Sequence, residues 1–187
     1  MAFSKQMTEN LEHFKQILQT DKNFDVVYRV IDIAGRKGCL FCVDGFTKDE
    51  VLLKVLQSWW SIQPEDMPED ADGFSKKYMP YGEVGVLEQE KDVIVQLLSG
   101  ITCIFLDGYD KCLTLDCRTY PARGVGEPEK DKVMRGSRDG FVETLIFNTA
   151  LIRRRIRDPR LIMEILSAGE SSHTDIACLL YTSPSPR

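Results

Sequence analysis

The residues best equipped to do chemistry lie in MRGSRDGFVETLIFNTALIRRRIRDPRL, Met134 to Leu161. Seven arginines stand between Arg135 and Arg160 with no lysine among them, in a chain whose formal net charge is -5. A guanidinium is planar, permanently charged and forked, so it grips carboxylates, carbonyls and phosphates where lysine offers a mobile point charge. Three uses follow: a nucleic-acid helix, an anion site, or the seam of an assembly. The periodicity predicts a helix from Phe141 to Arg157, with Asp139 or Gly140 at its N-cap. Phe141, Leu145, Asn148, Ile152 and Ile156 form one stripe. Asn148 is therefore an amide on an apolar face, and leaving it unpartnered would cost about 1–3 kcal/mol. Arg153, Arg154, Arg155 and Arg157 crowd the last turns, where cations complement the helix dipole. Asp158-Pro159 stops the helix. The candidate interface or signalling residues are Arg135, Ser137, Arg138, Asp139, Asn148, Arg153, Arg154, Arg155 and Arg157.

Other chemistry is weaker. Cys39 and Cys42 form a C-x-x-C, but inside the apolar run CLFCV rather than at the start of a helix, where a dipole would activate a thiol. Cys112 and Cys117 are five apart, and His13 and His173 stand alone, so no zinc pattern emerges. Glu65, Asp66, Glu69, Asp70 and Asp72 lack the alternation of a calcium loop. No phosphate-binding loop, nucleophile elbow or metalloprotease signature occurs. The expectation is a protein that is not an enzyme, with no cofactor and no metal.

The elements that must carry these residues are read from patterning. Phe3, Met7, Leu11, Phe14, Ile17 and Leu18 predict an amphipathic helix over 3–20. DVVYRVIDIAGRKGCLFCVDGF predicts two strands with the turn in GRKG. Thr47, with Glu50 as a capping box, opens a helix through KDEVLLKVLQSWWSI. The stretch 63–82, with its three prolines, predicts a loop. A helix over 83–99, ended by Gly100, and a hairpin around DGYD follow. After the arginine helix, RLIMEILSA reads as a helix and HTDIACLLY as a strand. Adjacent strand pairs make this an α+β fold, with helices packed on short mixed or antiparallel sheets. The expected division is a first α/β subdomain over 1–118, a linker over 119–133, and the start of a second over 134–178. That second subdomain reads as incomplete. Residues 179–187, ending TSPSPR, read as a disordered or non-native tail.

With 43% hydrophobic and 28% charged residues, the composition is that of a globular protein. Mild acidity and the lack of interleaved aromatics exclude a general nucleic-acid binder. No run approaches the length of a membrane span, and the N-terminus lacks the apolar core of an export signal, so six reduced cysteines are expected.

The arginine segment closely resembles a signature of the A-subunit family of spore germination proteins, the GerA type with its SpoVAF-like relatives. That signature has the form G-x-R-[ED]-G-F-x-E-[ST]-x-x-x-N-x-x-L-I-R-R-R-I-[KR]-[DN]-P. Gly136, Arg138, Asp139, Gly140, Phe141, Glu143, Thr144, Asn148, Leu151, Ile152 and everything from Arg153 to Pro159 fit it. GESSHTDIACLLY is similar to the family's following S-x-T-D-[VI]-A strand, and ENLEHFKQIL with DVVYR to its opening. The resemblance implies an N-terminal soluble region of two α/β subdomains ahead of several membrane spans. It further implies a germinant receptor with B and C partner subunits, and self-association into a nutrient-gated channel. It places the full-length protein in the spore inner membrane, with this region on the core side. This chain would reach the membrane only through a downstream region it lacks. The rival reading is a free-standing anion- or nucleotide-binding module, using the amides of 135–141 with Arg135 and Arg138.

Overall fold

The computed structural model describes residues 3–79, 82–120 and 140–181. The chain opens with helix α1, Met7–Leu18, which turns Met7, Phe14 and Leu18 inward. Strands β1, Val26–Ile33, and β2, Arg36–Val43, form an antiparallel hairpin. Its turn sits at Ala34 and Gly35, with φ of 51° and 80°, two residues earlier than GRKG suggests. Positive φ at both central residues matches the right-handed twist of the flanking strands, and Arg36 and Lys37 are thereby freed to pair with Ile33 and Asp32.

Helix α2, Asp49–Trp59, follows. Thr47 does not cap it. Lys48 holds the cap position without a side-chain bond, and Thr47 bridges Arg118 in a short β contact. The stretch 63–82 is more ordered than its prolines suggest. It holds a 3-10 turn at Pro64–Asp66 and helix α3, Ala71–Tyr78. Asp70 starts α3 by accepting the Gly73 N–H at 2.7 Å, a cap concealed within an acidic run.

The segment expected as a helix over 83–99 divides in two. Strand β3, Val84–Leu87, precedes helix α4, Glu90–Leu98. Val84 and Val86 suit a strand, and β3 finds a partner far along the chain in β5, Cys112–Leu115. Strand β4, Thr102–Leu106, completes one antiparallel sheet in the order β1-β2-β4-β5-β3. Alternation along the strands sends Leu40, Ile104, Leu106, Leu113 and Leu115 to one face, covered by α2 and α3. Cys39, Phe41, Cys103, Phe105 and Cys112 go to the other, covered by α1 and α4. The fold is thus α+β, with helices on both faces of the antiparallel sheet.

Helix α5 runs Leu145–Arg155, shorter at both ends than Phe141–Arg157. RLIMEILSA is not a helix. It forms strand β6, Ile162–Ala168, paired antiparallel with β7, Thr174–Leu180. Apolar residues on both faces of this segment give it no decisive period, and the pairing with β7 selects the strand. The last strand is accordingly not solitary. Residues 182–187 and 121–139, which include most of the expected linker, lie outside the described residues.

Candidate functional site

The arginine helix divides its side chains as helical geometry demands, with neighbours about 100° apart. Arg153 points inward and is fully buried. Its Nε donates to Asp25 Oδ2 at 2.7 Å and its Nη2 to Asp25 Oδ1 at 3.0 Å, a bidentate fork on a carboxylate that is itself buried. Nη1 donates to the Asp158 carbonyl at 3.2 Å, and Nη2 to the Leu161 carbonyl at 3.0 Å. Nη2 also reaches Asn23 Oδ1 at 3.4 Å. Both edges of the guanidinium are therefore occupied, which a buried cation requires.

The partners are tied in turn. Asn23 Nδ2 donates to the Leu18 carbonyl at 2.6 Å, holding the end of α1. Its Oδ1 accepts the Met163 N–H at 2.8 Å, and the Phe24 N–H donates to the Met163 carbonyl at 3.0 Å. The Asp25 carbonyl accepts the Asp44 N–H at 2.8 Å. One guanidinium thus joins the end of α5 and the entry to β6 with the α1–β1 connection and the start of β1, itself tied to the end of β2.

Two further contacts seat α5. Gly45, at φ 80°, lies under it, and an added Cβ would come within 3.0 Å of Ile146 Cγ2 and 3.1 Å of Ala150 Cβ. Ala150 joins Val43 and Phe46 in a small core. Arg154 faces outward and lays its guanidinium over the Tyr120 ring, 4.2 Å from the centroid. Tyr120 in turn packs edge-on against Phe46 and donates its hydroxyl to the Ser99 carbonyl at 2.9 Å.

Asn148 finds partners in the backbone. Its Oδ1 accepts the Val142 N–H and its Nδ2 donates to the Val142 carbonyl, both at 2.7 Å. This clasp holds the preceding segment off the helix, which explains why α5 starts at Leu145 and not at Phe141. At the other end Ile156 leaves helical geometry ahead of Asp158-Pro159. Arg155 and Arg157 are exposed, and Arg157 Nε donates to the Arg154 carbonyl at 3.2 Å. Arg135, Ser137, Arg138 and Asp139 lie outside the described residues, and with them most of the rival anion site.

The other sequence candidates have structural surroundings. Cys39 and Cys42 stand three apart on a strand, so they face opposite sides of the sheet and cannot act as a pair. Burial pushes the Cys39 thiol up to about 12 and Cys42 up to about 11, the reverse of an activated cysteine. In the acidic run, Asp70 caps α3, Asp72 pairs with Lys111 at 3.0 Å and Asp66 with Lys77 at 3.5 Å. Among the described residues no cluster of three or more metal-type ligands forms, and no helix is long and apolar enough to cross a membrane.

Asp25, Asn23, Gly45 and Tyr120 were not singled out by sequence reasoning. The signal for the first two was modest: polar residues in KNFDVV, interleaved with Phe24 and Val26 at the entry to an apolar strand.

A buried arginine thus ties one helix–hairpin unit to an antiparallel α+β sheet. The fold is that of the N-terminal domain of the A subunit of the Bacillus megaterium spore germinant receptor GerK3, with a TM-score of 0.72 at 20% identity, covering 96% of this chain and 66% of that one. The family model of the Bacillus/Clostridium GerA spore germination proteins matches residues 12–183, and the chain belongs to that family. Stage V sporulation protein AF of Bacillus subtilis is 33% identical over 173 residues, which is 90% of this chain and 34% of that protein. Spore germination protein KA of the same organism is 34% identical over 188 residues, again 34% of its length. The chain therefore spans about a third of these curated relatives.

Proposed function

We propose that this chain is the N-terminal region of a germinant-receptor A subunit, acting in receptor assembly and in passing a nutrient signal to a membrane channel. Its partners in this reading are the B and C subunits and further copies of the full-length A subunit. The full-length protein resides in the spore inner membrane, with this region on the core side, and has no catalytic activity. The observation that carries the reading is the Arg153–Asp25 pair. A gate needs an element whose packing can differ between states. Here a helix is seated by one buried ionic fork and one ring-stacked arginine, with only a small apolar core of its own beneath it. Such a seat is specific in direction, because guanidinium and carboxylate must meet in plane.

The test is made in spores carrying the full-length protein. Arg153→Ala is expected to lower receptor level and abolish the nutrient response, whereas Arg157→Ala leaves both intact. Wild-type receptor level and nutrient response in the Arg153→Ala strain would remove the assembly and signalling role.

A further inference from the structure

Asp-Gly pairs occur in the chain at Asp44, Asp72, Asp107 and Asp139. Such a pair is open to isomerisation, because glycine has no Cβ to keep the preceding carboxyl off its nitrogen. The fold treats the first three differently. At Asp72 the pair lies in α3, the Gly73 N–H donates to Asp70 Oδ1 at 2.7 Å, and the carboxylate pairs with Lys111 at 3.0 Å. At Asp107 the Gly108 N–H donates to the Lys5 carbonyl at 2.8 Å, and Asp107 Oδ1 accepts the Met7 N–H at 2.7 Å. In both pairs the nitrogen and the carboxyl are committed elsewhere. At Asp44 they are committed to each other: the Gly45 N–H donates to Asp44 Oδ1 at 2.8 Å. Asp44 is exposed, and its carboxyl makes no other hydrogen bond or ion pair among the described residues.

We propose that Asp44 is a site of spontaneous conversion to isoaspartate. The Gly45 nitrogen attacks Cγ of the protonated Asp44 carboxyl. An N–Cγ bond forms, and the carboxyl hydroxyl leaves with the amide proton as water, closing a succinimide ring. Water then adds to the ring and breaks the bond between the nitrogen and the original main-chain carbonyl carbon. The main chain afterwards runs through Cβ and Cγ, one methylene longer, with a carboxylate branching from Cα. Net charge is unchanged, and water is the only reagent. The lengthening falls where α5 is seated. The Asp44 N–H donates to the Asp25 carbonyl at 2.8 Å, and the Asp25 carboxylate holds Arg153. Gly45 lies so close under α5 that an added Cβ would stand 3.0 Å from Ile146 Cγ2. An extra methylene here either presses Gly45 against α5 or breaks the Asp44–Asp25 bond, since a packed contact has no slack to absorb it. Isomerisation at Asp44 thus loosens the seat of α5. The inference concerns covalent chemistry and holds whether or not α5 carries a signal.

The experiment incubates the purified 187-residue chain for weeks at neutral pH and maps its peptides by mass spectrometry with isoaspartyl methyltransferase labelling. Isoaspartate is expected at Asp44 several-fold faster than at Asp72 or Asp107. In urea the three should form it at similar rates, because the fold no longer distinguishes them. Asp44→Asn should isomerise faster still at that position, ammonia being an easier leaving group than water. Asp44→Glu should form none there, since the longer side chain must close a larger ring. Chain isomerised at Asp44, separated from the rest, should melt below the unmodified chain. Isoaspartate at Asp44 no faster than at Asp72 and Asp107 in the folded chain would overturn the site. So would the same excess persisting in urea, which would trace it to local sequence and not to the fold. An isomerised chain that melts like the unmodified one would overturn the coupling to the seat of α5.

Discussion

The chain begins two units in the same way and anchors them differently. Helix α1 leads into the β1–β2 hairpin, and α5 leads into β6–β7. The fourth residue of each helix is an asparagine whose amide clasps the backbone six residues earlier. Asn10 pairs with Ser4 at 3.1 and 2.7 Å, and Asn148 with Val142 at 2.7 Å in both directions. Beyond that the units part. Helix α1 buries Met7, Phe14 and Leu18 against a sheet covered on both faces. Helix α5 buries Thr149, Ala150 and Arg153. Position nine of α1 is Lys15, paired at the surface with Glu12 at 3.3 Å, while position nine of α5 is the buried Arg153. The β6–β7 hairpin exposes Ile165, Leu166, Ile176, Leu179 and Leu180. One local plan can therefore be secured by an apolar core or by a single polar centre. The second is more sensitive to loss of one side chain, because a charge stripped of its partner cannot return to water.

The sharpest way to break this comparison is to remove that centre. Arg153→Ala should destabilise the chain by about 3–5 kcal/mol in urea unfolding, since Asp25 is left buried and unpaired. Lys15→Ala, at the matching position of α1, should cost under about 1 kcal/mol. An Arg153→Ala/Asp25→Ala double variant should lose much less than the sum of the two single losses, because the pair is one unit. Equal losses at positions 15 and 153 would erase the distinction.

Gly45 tests how closely α5 sits. An alanine there meets both a positive φ and two side chains near 3 Å, so Gly45→Ala should cost about 1–3 kcal/mol by the same measurement. The two asparagine clasps test what the units share. Asn10→Ala and Asn148→Ala should each cost about 1–2 kcal/mol, because a partly buried backbone donor and acceptor lose their partners together. Costs that differ by more than the value of one hydrogen bond would mean that the clasps are not equivalent.

Smaller effects are expected at the surface. Arg154→Ala should cost about 0.5–1 kcal/mol through the lost stacking on Tyr120, and Arg157→Ala less than about 0.5 kcal/mol. The slightest concerns Asp158, whose carboxyl the Arg160 side chain holds below the ordinary carboxylate range. A carboxyl lowered in the folded state contributes stability above its unfolded value of about 3.9, lost as pH falls through the folded value. Arg160→Ala should therefore melt like the parent below that folded value and slightly earlier at neutral pH. A deficit that persists unchanged at the acid end would show that Arg160 acts by packing and not by charge.

Much of the local plan was legible in the residues. Phe14 and Leu18 at helical spacing, the β-branched alternation of β1 and the Asp-Gly turn between β4 and β5 all announce their elements, because each depends on neighbours in the chain. Asn148 was legible as a polar group in need of partners. Two of the misreadings fall where the deciding partner is another strand. Val84–Leu87 is a strand because β5 offers it an edge, and Ile162–Ala168 is a strand because β7 pairs with it. The α3 cap was concealed because Asp70 sits among other acids of the same type.

By itself the sequence determined the class of fold, the family, and that the arginine helix would present its charges on different sides, since a helix rotates successive residues by a constant angle. Only the tertiary structure decided which arginine is buried. Arg153, Arg154 and Arg155 are chemically identical and adjacent. What separates them is that Arg153 alone meets Asp25, a carboxylate 128 residues away. Sequence periodicity reports the direction in which a side chain leaves its helix. The partner it meets there depends on how the whole chain returns.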